Sequence, residues 1–223
     1  MRGKLIVSGL LKLLLGFVFL ALMIFPAAGT LRFPNGWLFL GILFVPMFIL
    51  GVVLLLKSPA LLEKRLNGKE KESDQKFVVG MSGLIFLAGF LVAGLDFRFG
   101  WLPLPTPLVI AAAVIFLIAY ALYAEVMREN AYLSRTIEVQ EGQKVIDTGL
   151  YGIVRHPMYA VTVLLFLMIP LILGSLFAFL IFLAYPVVIA VRIRGEERVL
   201  EKELAGYAEY KKRVKWRLIP LIW

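Results

Sequence analysis

Apolar residues run through this chain in blocks long enough to cross a bilayer, and the polar residues collect in the gaps between them. Leu13–Ala28, Trp37–Leu56, Phe77–Leu95 and Thr106–Met127 approach or reach the roughly 20 residues needed to span about 30 Å of hydrocarbon. Met158–Leu173 and Leu176–Val191 follow, separated only by Gly174-Ser175. Each is about 16 residues, or about 24 Å at 1.5 Å per residue, so the pair reads as a tight helical hairpin of marginal length. After Val191 the pattern becomes charged and amphipathic through Tyr210, with Leu200, Leu204 and Tyr207 at helical spacing, which predicts a cytosolic helix. The expected fold is therefore all-α, a multi-pass membrane bundle of four spans plus a C-terminal hairpin and an amphipathic helix. Residues 1–127 form the membrane-embedded first part and 128–223 the part that carries candidate chemistry.

Pro46 lies inside the second block and predicts a kink. Pro26-Ala27-Ala28-Gly29 loosely resembles a signal-peptide cleavage site, but the first block is read as a retained span with Lys12 snorkelling to the interface. Between the second and third blocks, Lys57–Lys76 is densely charged. Its Leu61–Leu66 stretch reads either as a short amphipathic surface helix or as part of a solvated loop. Arg128–Arg155 is polar, and the alternation over Thr136–Gln140 is too brief to argue a sheet. Only Arg32 and Arg98 fall in the loops Gly29–Gly36 and Asp96–Pro105, whereas nearly all other Lys and Arg fall on the opposite side. The excess places both termini, the Lys57–Lys76 loop and the Arg128–Arg155 segment in the cytosol, in a cell-membrane protein.

Composition sharpens this. Of 223 residues 61% are apolar, which a soluble domain seldom shows. The net charge of +9 invites a nucleic-acid partner, but the cations sit in the loops, where topology explains them. The chain has no cysteine and one histidine. Thiolate nucleophiles, disulfides and iron–sulfur clusters are thus excluded, and Glu196-Glu197 lack partner ligands at metal-binding spacing. No Gly-x-Gly-x-x-Gly, Walker loop or nucleophile elbow is present.

The single histidine lies in Gly149-Leu150-Tyr151-Gly152-Ile153-Val154-Arg155-His156-Pro157-Met158-Tyr159, where the polar segment turns apolar. A cation, an imidazole and a phenol fall within five residues, beside a proline suited to open a helix. A second cluster, Arg192-Ile193-Arg194-Gly195-Glu196-Glu197, sits at the hairpin's exit. With the turn at Gly174, His156 lies 18 residues before it and Arg192 18 after, so the two clusters meet at one depth. Arg192 and Glu196 share a helix face. Taken singly, the first cluster also fits an interfacial anchor, and the second a surface ion pair worth under about 1 kcal/mol.

Three ordered motifs resemble the isoprenylcysteine carboxyl methyltransferase family and its phospholipid methyltransferase relatives. They are Gly149-x-Tyr151-x-x-x-Arg155-His156-Pro157-x-Tyr159, Arg192-x-x-x-Glu196-Glu197-x-x-Leu200 and Tyr207-x-x-Tyr210-Lys211-Lys212-Arg213-Val214. Ser58–Leu66 and Ser134–Ile137 also resemble prokaryotic members, so the likeness runs from Ser58 onward and is strongest after Arg128. It implies a membrane enzyme that transfers a methyl group from S-adenosylmethionine to a lipophilic acceptor. By resemblance, Tyr151, His156, Pro157, Met158 and Tyr159 line the cofactor pocket, and Gln143, Lys144, Val145 and Ile146 contact the cofactor, with Gln140 a further match. Glu196 binds its polar end, Glu197 is the alternate, and Arg192 faces the acceptor. A carboxylate acceptor would be steered by Arg192, whereas an amine acceptor would need a base such as Glu196 or His156. The acceptor expected is an isoprenylcysteine-like carboxylate. The alternatives are a phospholipid amine, a sterol-reductase-like NADPH enzyme, and a non-enzymatic transporter or scaffold. The uncharged stretches Thr106–Ala124 and Met158–Val191 weigh against the last.

Overall fold

A computed structural model describes residues 2–67, 73–133 and 139–223. Its helices are α1 (Arg2–Ala28), α2 (Pro34–Lys57), α3 (Pro59–Asn67), α4 (Ser73–Phe99), α5 (Thr106–Glu129), α6 (Pro157–Ile172), α7 (Leu176–Phe182), α8 (Tyr185–Glu203) and α9 (Tyr207–Arg213), with a short 3-10 turn at Gly149–Gly152. No strand occurs among the described residues. The all-helical membrane fold expected from the apolar blocks is the one observed. α1, α2, α4, α5 and the α7–α8 rod are long and apolar enough to cross a bilayer, while α6 is shorter.

Local chemistry accounts for the boundaries. Proline occupies the first turn of α2, α5, α6 and α8, where its missing N–H costs no helical hydrogen bond. Gly174 closes α6 with φ +81°, a left-handed conformation that glycine adopts freely. Ser175 then caps α7 by accepting the Ala178 N–H at 3.1 Å. The Ser175 hydroxyl also donates to the buried Asp96 carboxylate at 2.5 Å, and that carboxylate accepts the Leu102 N–H at 3.0 Å. This ties the hairpin turn to the α4–α5 connection.

The hairpin differs from its sequence reading in one arm. A continuous helix was expected over Leu176–Val191, yet it breaks at Leu183-Ala184. The ring of Pro186 would collide with the Phe182 carbonyl four residues back, which ends α7 there. The amphipathic stretch after Val191 continues α8 without interruption to Glu203, and a second short helix, α9, follows Gly206. Leu61–Leu66 lies in α3, so the helical alternative holds over the loop. Of the stretches considered for Arg128–Arg155, Ser134–Ile137 and most of Thr136–Gln140 lie outside the described residues.

The core joins all the spanning helices through Ile24, Phe39, Phe90, Phe116, Phe182, Ile169 and Ile172. Small residues permit close approach without a hydrophobic drive between helices in lipid. Ala112, Ala113 and Ala119 of α5 are buried in that core, and α5 packs most closely on α6. A methyl on Gly94 would stand 2.7 Å from the Ile24 carbonyl of α1, and one on Gly89 2.2 Å from the Phe182 ring. Exposed Leu14, Leu15, Phe19 and Leu22 on α1, and Val45 and Ile49 on α2, form part of the lipid-facing surface.

Candidate active site

The Arg155-His156 backbone is held by a strap that follows α9. Arg155 N–H donates to the Trp216 carbonyl and His156 N–H to the Arg217 carbonyl, both at 2.9 Å. Between them the side chains build a buried ion network. Glu197 accepts Arg155 Nε at 2.7 Å and Arg217 Nε at 2.8 Å, and its Oε1 lies 3.4 Å from His156 Nε2. Arg155 also donates to the Val214 and Lys215 carbonyls at 2.8 and 2.9 Å. Arg155, His156 and Glu197 are each nearly sealed from solvent, so the buried guanidinium and carboxylate each require the other. The Tyr210 hydroxyl donates to the Tyr151 carbonyl at 2.7 Å, fastening α9 to the 3-10 turn. The Tyr151 hydroxyl in turn accepts from Asn130 Nδ2 at 2.9 Å.

Beside this network opens a cavity of about 1010 Å³. Its polar end is lined by Gln143, Lys144, Val145, Ile146, Tyr151, His156, Met158, Tyr159, Arg192 and Glu196. Its apolar end is walled by α2, α4, α5 and α6 side chains, among them Met47, Leu50, Phe86, Phe116, Leu165 and Phe166. The two clusters on either side of the hairpin do meet: Arg192 Nε donates to the Tyr159 hydroxyl at 2.9 Å and its guanidinium lies 5.9 Å over the same ring.

Three residues singled out from sequence stand apart from that wall. Gln140 is bound into its own loop, accepting from Lys64 and donating Nε2 to the Tyr132 carbonyl at 2.6 Å. Pro157 is buried as the opening residue of α6. Glu197 is consumed by Arg155 and Arg217, whereas Glu196, about 100° further round α8, faces the cavity with Oε2 buried and without a hydrogen-bond partner. The Tyr207 hydroxyl on the same wall is likewise buried and unpartnered. Burial, reinforced by the Glu197 and Glu196 carboxylates, pushes the Tyr207 phenol far above its ordinary pKa, so it remains a neutral donor. Sequence reasoning missed Arg217 and the strap, which fall in an irregular segment with no periodicity to mark it. It also assigned Tyr207 no role at the cavity.

Comparison with known proteins bears on this arrangement. Residues 107–206 match the phospholipid methyltransferase family, covering α5, both hairpin arms and α8. An uncharacterized protein, YpbQ, of Bacillus subtilis (strain 168) is 30% identical over 135 residues, which is 59% of this chain and 76% of that protein. The chain belongs to the phospholipid methyltransferase family. As a phospholipid methyltransferase family member it is a membrane methyltransferase of lipid substrates. The matched region contains Tyr151, His156, Tyr159, Arg192 and Glu196 together. In this methyltransferase the strap that locks Glu197 lies beyond the matched residues, as do α1 to α4.

Proposed function

We propose that the protein transfers a methyl group from S-adenosylmethionine to the carboxylate of a lipid acceptor of the isoprenylcysteine kind. The observation that carries this reading is the pairing on one turn of α8. Arg192 and the unpartnered Glu196 oxygen line the polar end of one cavity whose other end is apolar.

The residues present fit the cofactor. S-adenosylmethionine, when bound, supplies an electrophilic methyl group on a sulfonium, so no protein nucleophile is needed. Glu196 would take its ammonium, and the Tyr207 hydroxyl would donate to its carboxylate; among the described residues both present a buried side-chain oxygen without a partner. His156, Met158 and Tyr151 close the wall around them. Arg192, oriented by Tyr159, would hold the acceptor carboxylate by charge-assisted hydrogen bonds and disfavour an ammonium there. Alignment of the acceptor, the methyl group and the leaving sulfur would then supply most of the rate enhancement. The lining Arg and Lys side chains and the loop cations support a site facing the cytosol, with both termini on that side.

The test is incubation of purified protein with methyl-labelled S-adenosylmethionine and membrane lipid extract. Label should enter an organic-soluble product and be released by mild base, as from an ester. Base-stable label would point to N-methylation and overturn the carboxylate reading.

A further inference from the structure

Two cations that the proposed reaction does not use also line the cavity, Lys12 on α1 and Arg65 on α3. Lys12 is exposed among exposed Leu11, Leu14 and Leu15, so its stem stands on the lipid-facing side of a spanning helix. Its ammonium donates to the Leu66 carbonyl. Arg65 is half-buried, donates to the Tyr123 hydroxyl and lies 5.6 Å over that ring. Lys64 alongside donates to the Gln140 side-chain oxygen. All three acceptors are neutral, and among the described residues no carboxylate is paired with any of the three. Neutral acceptors satisfy the hydrogen bonds of these cations and leave their charge free to attract an anion at the membrane surface.

We infer that Lys12 and Arg65, backed by Lys64, hold the phosphate of an anionic phospholipid whose acyl chain lies along the exposed leucines of α1. A free phosphate would satisfy the cations but leave that apolar flank unused, whereas a lipid satisfies both. A zwitterionic lipid brings its own cation against three others. The site draws on α1 and α3 and on none of the residues assigned to the cofactor or the acceptor, so it extends the proposed function and does not depend on it.

The experiment compares dioleoyl phosphatidylglycerol with dioleoyl phosphatidylcholine on the full-length protein in neutral detergent, by native mass spectrometry and thermal melting. Wild type should retain phosphatidylglycerol at least about tenfold better. Lys12→Gln and Arg65→Gln should each weaken it about fivefold, with phosphatidylcholine unchanged, while Lys4→Gln, also exposed on α1, leaves the preference intact. Lys12→Gln alters an exposed position and so keeps the test valid should Arg65→Gln disturb α3. Equal retention of the two lipids by wild type, or a preference that survives the double variant, would overturn the site. Stabilisation by inorganic phosphate alone equal to that by phosphatidylglycerol would overturn the lipid as its occupant. Methyl transfer measured on the same samples separates the two readings: its absence beside an intact lipid preference would count against the proposed function alone.

Discussion

Glu196 and Glu197 are neighbours in sequence with opposite surroundings, and conservative amide substitutions should separate them. Glu197 accepts two guanidinium hydrogen bonds at 2.7 and 2.8 Å in a nearly solvent-free setting. In Glu197→Gln the amide group must turn its own N–H toward Arg155 or Arg217, leaving a buried cation without its counter-charge at a cost of about 3–5 kcal/mol. For a chain of this length each kcal/mol moves the melting temperature by about 2–4 °C, so a fall of about 6–20 °C is expected. Glu196 Oε2 has no partner to lose, so Glu196→Gln should melt within about 2 °C of wild type. It should instead weaken S-adenosylmethionine about 10- to 100-fold, the value of one charge-assisted hydrogen bond of about 1.5–3 kcal/mol. Intrinsic fluorescence on heating in detergent reports the first effect, with Trp216 and Trp223 placed in the strap, and titration calorimetry the second. Equal melting temperatures for the two variants, or intact cofactor affinity in Glu196→Gln, would refute the division of roles.

Two further substitutions test the acceptor side and the helix packing. Arg192→Lys keeps the charge but loses the Nε–H that bonds Tyr159 and the planar fork; kcat/KM for the lipid should drop about 10- to 100-fold with cofactor affinity unchanged, and an equal drop in both would place Arg192 at the cofactor instead. Gly89→Ala forces a methyl into the Phe182 ring and should cost about 1–3 kcal/mol, seen as a lower melting temperature that Phe182→Leu restores in the double variant without altering cofactor binding.

The spans were legible because a bilayer demands long apolar runs, and the hairpin because Gly174-Ser175 interrupts one such run with a residue suited to a left-handed turn and a residue suited to a cap. Counting residues from that turn was enough to bring the His156 and Arg192 clusters to one depth, where Tyr159 and Arg192 meet. Spacing alone did not distinguish the carboxylates of the doublet, and only the resemblance put Glu196 first. Which one faces inward depends on Arg155 and on Arg217, a residue 20 positions further on, in a strap with no regular periodicity. Gln140 stands apart from the cavity wall for a related reason: its contacts with Lys64 and Tyr132 join separate segments, and loop composition carries no record of them. The break before Pro186 was open to inspection, since proline rejects the carbonyl four residues earlier.

The charge balance of the cavity follows from that locked carboxylate. With Glu197 neutralised by Arg155 and Arg217, Glu196 is the one carboxylate lining the cavity among the described residues, against Lys12, Arg65, Lys144 and Arg192. Such a wall attracts an anionic lipid and opposes a cationic one. It also distinguishes substrate from product, because methylation of a carboxylate removes the charge that Arg192 would hold, converting a charge-assisted hydrogen bond to an ordinary one of roughly half the strength. Methylation of an amine would leave a cation in the same field from start to finish. Under the proposed reading this wall would suit an acceptor whose charge disappears on reaction, since a neutral ester would be held less tightly by Arg192 than the acid.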